Sequence, residues 1–193
     1  MGTSKYSVNK TVNIARGLAI IGMVIGHAVD HSYLTVFIYK WHMPLFFFFS
    51  GFFFDVNRYN FKRFVWKRIK SLYVPFLFWT LLMICFHNVL VSNGICAGTF
   101  YDYDKLKVLV YRAVFEMRQY EPLLGTFWFF PQLLAVNILG YVYFSLQKNI
   151  SVLSYVIMVL FLLLGTLMKK YDIDIFYQFN DITCMGTFFL YLW

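Results

Sequence analysis

Acidic residues are what this chain has least of. Nine Asp and Glu stand against 17 Lys and Arg in 193 residues, for a net charge of +8. Charged residues of both signs make up 13%, about half of the roughly 25% found in an ordinary soluble domain. So few charges exclude a normally solvated globular surface. The three cysteines, Cys85, Cys96 and Cys184, are odd in number and widely spaced, so they supply neither a disulfide framework nor a CxxC site. No A-x-A cleavage pattern follows the first apolar run, which itself carries Arg16, His27 and Asp30, so no removable signal peptide is expected. The start Met1-Gly2 has Tyr6 where a myristoylation motif wants Ser or Thr.

Apolar residues are abundant instead: 61% hydrophobic and 23% aromatic, with 24 Phe and 15 Tyr, and a mean hydropathy of +0.63. Rings in such number suit lipid contact and membrane interfaces. The basic charge clusters beside apolar runs, which points to membrane topology and anionic headgroups and away from nucleic acid. Spanning a bilayer takes about 20 apolar helical residues. Candidate spans are Val12–Val29, Trp41–Phe54, Leu72–Val91, Leu123–Leu146 and Ile150–Met168, with a sixth starting near Ile182 and still running at Trp193. The expected architecture is an all-α, polytopic transmembrane bundle of five to six spans. It forms a single domain over 1–193 that is incomplete at its C-terminus.

Short-loop Lys and Arg set the orientation. Arg58, Lys62, Arg63, Lys67, Arg68 and Lys70 lie between the second and third spans, and Lys5, Lys10 and Arg16 lie at the N-terminus. A hairpin of the first two spans puts both groups on one side, the cytoplasmic one. The balanced loop Asn93–Glu121 falls on the far side. Within it, Leu106, Leu109, Val110 and Ala113 have helical spacing, which fits an interfacial helix or a buried loop helix equally well.

Ionisable groups inside apolar spans are costly and so are candidates for function. Arg16 and His27 are separated by three helical turns plus about 20°, so they share a face about 16 Å apart along the axis. Gly17, Gly22 and Gly26 keep that helix thin for close neighbours. Taken singly, Arg16 also reads as a snorkelling anchor and His27 as a hydrogen-bonded interfacial residue. His42 opens the second span on the same side as His27, so the two histidines are placed to face each other. Ser50-Gly51 reads as a tight helix contact, since no base stands at a fixed spacing to activate the serine. His27, Asp30 and His31 lack the Glu and third ligand of a zinc hydrolase pattern, and no metal site is expected. His87 reads as a structural hydrogen bonder. Arg63, Lys67 and Lys70 at i, i+4 and i+7 fit positive-inside anchoring, with a phosphate site as the second reading.

The run Ile14-Ala15-Arg16-Gly17 through Gly26-His27 resembles the first helix of the acyltransferase family 3 membrane proteins, which carry an Arg and a His separated by ten residues there. His42-Met43-Pro44-Leu45-Phe46 to Ser50-Gly51 is similar to that family's second helix. Leu72-Tyr73-Val74-Pro75-Phe76, after a basic segment, is similar to the start of its third, and Thr126-Phe127-Trp128-Phe129-Phe130 to a later Trp-Phe motif. The histidine-methionine-proline form resembles sugar O-acetylases, and family members have about ten spans. The family's Arg-x-x-Arg pattern after the second helix is not matched strictly, since Lys67 stands four residues after Arg63.

The resemblance implies transfer of an acyl group, acetyl first, from acyl-CoA as co-substrate, with no bound cofactor, to a carbohydrate hydroxyl. It implies an integral, multi-pass protein of a bacterial inner membrane. His27 is then the general base, with Arg16 holding the donor or stabilising developing charge. Arg63, Lys67 and Arg68 meet the CoA phosphates, and His42 and Trp128 contact the acceptor. Two rival classes are a glycan or lipid carrier with Arg16 and His27 on its path, and a membrane haem protein with His27 and either His42 or His87 as axial ligands. The lack of repeated helical His pairs speaks against the second. The lack of discontinuous helices and a pseudo-repeat speaks against the first.

Overall fold

The structure, a computed structural model, describes residues 10–28, 33–52, 57–147, 151–171 and 181–191. Among these the regular structure is helical, without a strand. In chain order the helices are α1 (Lys10–Ala28), α2 (Tyr33–Phe52), α3 (Phe61–Arg68), α4 (Val74–Ser92), α5 (Tyr103–Glu116), α6 (Phe129–Gln147), α7 (Ser151–Tyr171) and α8 (Asp181–Tyr191). A π-helical turn, Ile69–Tyr73, joins α3 to α4, and a 3-10 segment, Pro122–Trp128, leads into α6. Among the described residues two continuous helices are long and apolar enough to cross a membrane, Phe61–Ser92 and Pro122–Leu146. They contain the expected third span, Leu72–Val91, and the fourth, Leu123–Leu146. Val12–Gly26 is apolar but shorter.

The chain divides into two compact units, one of residues 1–54 with 189–193 and one of residues 55–188. In the first, α1 packs against α2, burying Val12, Ala19 and Ile38. The approach is close at Gly22, where an added Cβ would stand 3.2 Å from the Trp41 ring. Gly17 has open space beside it, so of those two glycines it is Gly22 that keeps α1 thin. α2 begins at Tyr33, eight residues before the expected Trp41. Lys40 interrupts the apolar window but not the helix, because Lys is a good helix former. Pro44 lies inside α2. Gly51 lies against the Leu190 backbone, so an added Cβ would collide with the Leu190 carbonyl oxygen and stand 3.1 Å from its carbon. That is the tight helix contact expected of Ser50-Gly51.

In the second unit, Asn60 caps α3 by accepting from the Arg63 N–H at 3.1 Å. α4 has Pro75 in its first turn, directly after the π-helical turn and inside the continuous helix Phe61–Ser92, where its missing N–H leaves one intrahelical bond unmade. It turns Phe76, Thr80, Ile84 and His87 inward. α5 starts on Asp102, whose side chain accepts from the Lys105 N–H at 2.8 Å. It ends at Met117 (φ 49°, ψ 34°) in the left-handed region, which costs a non-glycine residue about 1 kcal/mol. Leu109 and Ala113 of α5 are buried against Ile84, with Leu77, Tyr101 and Leu106 around them. The helix expected at Leu106–Met117 is thus packed along α4. Gln132 of α6 accepts a hydrogen bond from the Thr183 hydroxyl of α8, and Thr187 bonds the Thr183 carbonyl at 2.6 Å. Together these form a buried polar seam of the sort that holds apolar helices together.

The Gly51 contact yields a test. Gly51→Ala drives a methyl into backbone, which cannot swing aside, so the variant is expected to lose about 1–3 kcal/mol as overpacked sites do. Thermal unfolding in detergent reads this, and an unchanged midpoint would mean that the Leu190 contact is not made.

Candidate functional site

Arg16 and His27 both lie on α1, and His42 lies on α2. Arg16 is exposed. The side chains of His27 and His42 lie outside what the structure describes, so the expected facing of the two histidines falls there too, as do Asp30 and His31. Between the levels of Arg16 and His27, Trp41 packs over Gly22. Its indole Nε1–H is buried and has no acceptor among the described residues. A buried donor left unpaired costs about 1–3 kcal/mol, so it is a ready partner for a carbonyl oxygen. Sequence reasoning passed over Trp41 because a tryptophan in an apolar run carries no spacing signal.

Arg63, Lys67 and Arg68 lie on α3, as expected. Arg58, Arg63 and Lys67 converge on the ring of Tyr59, at 5.3, 5.4 and 3.8 Å from its centre. Three cations around one ring form a dense positive patch. Lys67 is the chief cause that holds the Tyr59 phenol below its ordinary pKa, with the charges of Arg58 and Arg63 adding to it against a smaller effect of burial. Arg68 turns away to the Phe64 ring, 5.2 Å from its centre, so it is not part of this patch. Lys70 lies in the π-helical turn, where the wider winding breaks the i, i+4, i+7 register with Arg63 and Lys67. The Tyr141 hydroxyl donates to the Tyr59 carbonyl at 2.9 Å and the Tyr141 ring packs on Phe64 at 4.9 Å, which fixes the patch on α6. Trp128 sits at the end of the 3-10 segment, partly exposed and edge-on to Phe129.

A second polar centre was not anticipated at full extent. His87, 2% exposed, meets Glu121, 4% exposed, with Nδ1 2.8 Å from Oε2. Its Nε2 donates to the Thr99 carbonyl at 3.2 Å, since a carbonyl can only accept. One proton therefore lies between Nδ1 and Oε2. The Tyr101 ring stacks on His87 at 3.4 Å and 5°. Asn88 clamps the Tyr101 backbone, accepting from its N–H at 2.7 Å and donating to its carbonyl at 2.9 Å. Gly98 passes beside the imidazole at φ +149°, a conformation that only glycine adopts readily. With both ring nitrogens engaged, His87 offers no lone pair to an axial metal and none to a substrate proton. Among the described residues no group of three metal-ligating side chains gathers.

The chain belongs to the acyltransferase family to which the Arg16–His27 motif pointed. The model of an acyltransferase domain, that of family 3, matches residues 9–192. No curated protein and no solved structure matches the chain.

The His87–Glu121 pair makes a prediction. Glu121→Ala strands a buried imidazole and is expected to cost about 3–5 kcal/mol, as breaking a buried pair does. Glu121→Gln should cost clearly less, because its amide N–H can donate to Nδ1. Thermal unfolding of the two variants separates these outcomes, and equal losses would mean that the Nδ1–Oε2 bond contributes nothing.

Proposed function

We propose that this protein is a multi-pass membrane O-acyltransferase that moves an acyl group, acetyl first, from acyl-CoA to a carbohydrate hydroxyl such as that of a cell-surface polysaccharide or its precursor. The observation that carries this reading is the family match, whose span includes Arg16, His27, His42, the basic α3 and Trp128. The protein is read as having five to six spans and a cytoplasmic N-terminus, the latter from the Lys and Arg of the short loops; a membrane setting as such is supported by the two long apolar helices. It is supported as well by exposed Ile14, Leu18, Ile21 and Val24 on α1 and Val156, Leu160, Leu163 and Leu167 on α7, which water would disfavour and lipid accepts.

In this reaction the His27 imidazole takes the proton of the acceptor hydroxyl, whose oxygen attacks the thioester carbonyl. The carbon–sulfur bond breaks, and the departing CoA thiolate recovers the proton from the imidazolium. A hydroxyl is a poor nucleophile without such a base, and neutral imidazole suits the task near pH 7. Arg16 holds the donor or offsets the charge that develops on the carbonyl oxygen. The Trp41 N–H, without an acceptor among the described residues, is a second donor of the right kind for that oxygen. Arg63 and Lys67, joined by Arg58, meet the CoA phosphates at the cytoplasmic mouth, where guanidinium and ammonium groups grip phosphate well. Arg68, turned to the Phe64 ring, is left out of that contact, while His42 and Trp128 contact the acceptor.

The test is O-acetylation of cell-envelope glycans in cells expressing the protein, with variants compared at matched membrane levels. His27→Ala is expected to lower acetylation by a factor of about 10²–10⁴, the usual worth of a general base. Equal acetylation in wild type and variant would remove His27 from the mechanism, and none in either would turn attention to a carrier. In membranes supplied with acetyl-CoA, Lys67→Ala is expected to raise KM for the donor about tenfold with kcat little changed, as loss of one charge-assisted hydrogen bond of roughly 1.5 kcal/mol does. An unaltered KM would take the patch over Tyr59 out of donor binding.

A further inference from the structure

The path of the chain after α4 has a consequence for what surrounds it. Two sets of hydrogen bonds fix the register of α5 on α4. Near the C-terminal end of α4, Asn88 clamps Tyr101. At its beginning, the Tyr73 hydroxyl donates to the Val114 carbonyl at 2.6 Å. Tyr73 and Asn88 are about 22 Å apart along the helix axis, and Tyr101 to Val114 covers about 20 Å. α5 therefore runs back along α4 in the antiparallel sense, with Leu109 and Ala113 packed against Ile84.

The chain then returns. Met117 turns it in the left-handed conformation, and Met117–Glu121 brings it back until Glu121 meets His87, again near the far end of α4. From there it descends a second time, with Phe127 beside Phe76 at 6.3 Å. If α4 crosses the bilayer, α5 and the segment behind it dip into the bilayer and come back out. They do not lie on its surface.

The charges on α5 are then out of place in lipid. Asp104, Lys105 and Lys107 lie between the level of Asn88 and that of Leu77, and Arg112 a little further on. An Asp, Lys or Arg at mid-bilayer depth costs about 2.5–3.5 kcal/mol even by the most lenient scales. Asp104 is 91% exposed and Lys107 59%, and their ion pair is loose at 3.6 Å. The Lys107 ammonium rests 4.0 Å from the centre of the Tyr103 ring, one helical turn back along α5. Arg112 is held by the Tyr120 hydroxyl at 3.2 Å, on the returning segment. Non-helical backbone at that depth is tolerated only where protein buries it or water reaches it. α4 itself shows the opposite surface, with Phe78, Trp79, Phe86 and Val89 exposed and no charge among them.

We infer that α5 with Met117–Glu121 is a re-entrant element whose charged face, carrying Asp104, Lys105, Lys107 and Arg112, lines a water-filled vestibule. The vestibule opens on the side of the membrane opposite the basic α3. The inference rests on the membrane reading of the Phe61–Ser92 helix. It gives a polar, hydroxyl-bearing acceptor a wet route to mid-bilayer depth, which an acyl transfer inside the membrane needs.

Thiol labelling in intact cells tests it. Single cysteines replace Asp104, Lys107, Phe78 and Phe86 in a background carrying Cys85→Ala, Cys96→Ala and Cys184→Ala, and a membrane-impermeant maleimide is added outside. All four positions are exposed, so folding is not at stake in the substitution itself, and membrane level is checked for each variant against the cysteine-free parent. The expected result is labelling at positions 104 and 107, at least tenfold faster than at 78 and 86. Slow labelling at all four, or labelling at 104 and 107 only after permeabilisation, overturns the vestibule and leaves the spanning helix intact. Fast labelling at 78 and 86 as well overturns the spanning helix itself, and the vestibule with it.

Discussion

The hydrogen bond between His87 and Glu121 is the constraint on which the second unit depends. The two side chains are almost wholly withdrawn from solvent and lie 34 positions apart in sequence. Closing so long a loop around a buried polar pair is worthwhile only if every partner is satisfied, because a half-satisfied buried network costs more than an apolar one. Here the imidazole is satisfied on both nitrogens and covered on one face by the Tyr101 ring. The pair therefore ties three things to the end of α4: the loop after it, the start of α5 through Tyr101, and the start of the 3-10 segment that leads to Trp128. Among the described residues no hydrogen-bond partner reaches the buried Glu121 Oε1 atom, which makes it a place for a bound water that completes the network.

A second constraint sits at the other end of the same long helix. The π-helical turn Ile69–Tyr73 adds a residue to the winding, and so uncouples the face that α3 presents from the face that α4 presents. α3 can then point Arg63 and Lys67 at Tyr59 while α4 points Phe76, Thr80 and Ile84 into the core. Without the turn, one continuous α-helix would have to satisfy both demands with a single stripe. π-turns inside α-helices are common at functional sites, and this one separates the cationic patch from the apolar span.

Much of this was legible in the sequence. The fourth apolar run, Leu123–Leu146, matches the helix Pro122–Leu146 closely, whereas the third, Leu72–Val91, is the apolar part of a longer helix, Phe61–Ser92, whose basic first turns no apolar run marks. The Arg16–His27 motif pointed to the family that the chain belongs to. His87 was read as a hydrogen bonder, but its partner was not, because nothing in the spacing of positions 87 and 121 couples them. The antiparallel packing of α5 on α4 was open for a like reason. Leu106, Leu109 and Ala113 announce an apolar face, yet a helix lying on a membrane and a helix lying on another helix need the same face. Arg68 was grouped with Arg63 and Lys67 on charge alone, and the structure sends it to Phe64 because adjacent helical positions diverge by about 100°. Lys70 left the register for the reason that no sequence pattern marks a π-turn.

The geometry of His87 also narrows which histidine can do chemistry. A general base needs a lone pair within reach of the proton that it takes, and a haem ligand needs one aimed at the iron. At His87 one nitrogen is spent on the Thr99 carbonyl and the other on Glu121. Freeing either would leave a buried carbonyl or a buried carboxyl unpaired. His87 is therefore a strut, and a histidine pair that includes it cannot hold a haem without dismantling the loop it anchors. His27 and His42 lie outside the second unit, on α1 and α2. The family motif has His27 on the same helix as Arg16, and against that helix, at Gly22, packs Trp41, whose indole N–H has no acceptor among the described residues.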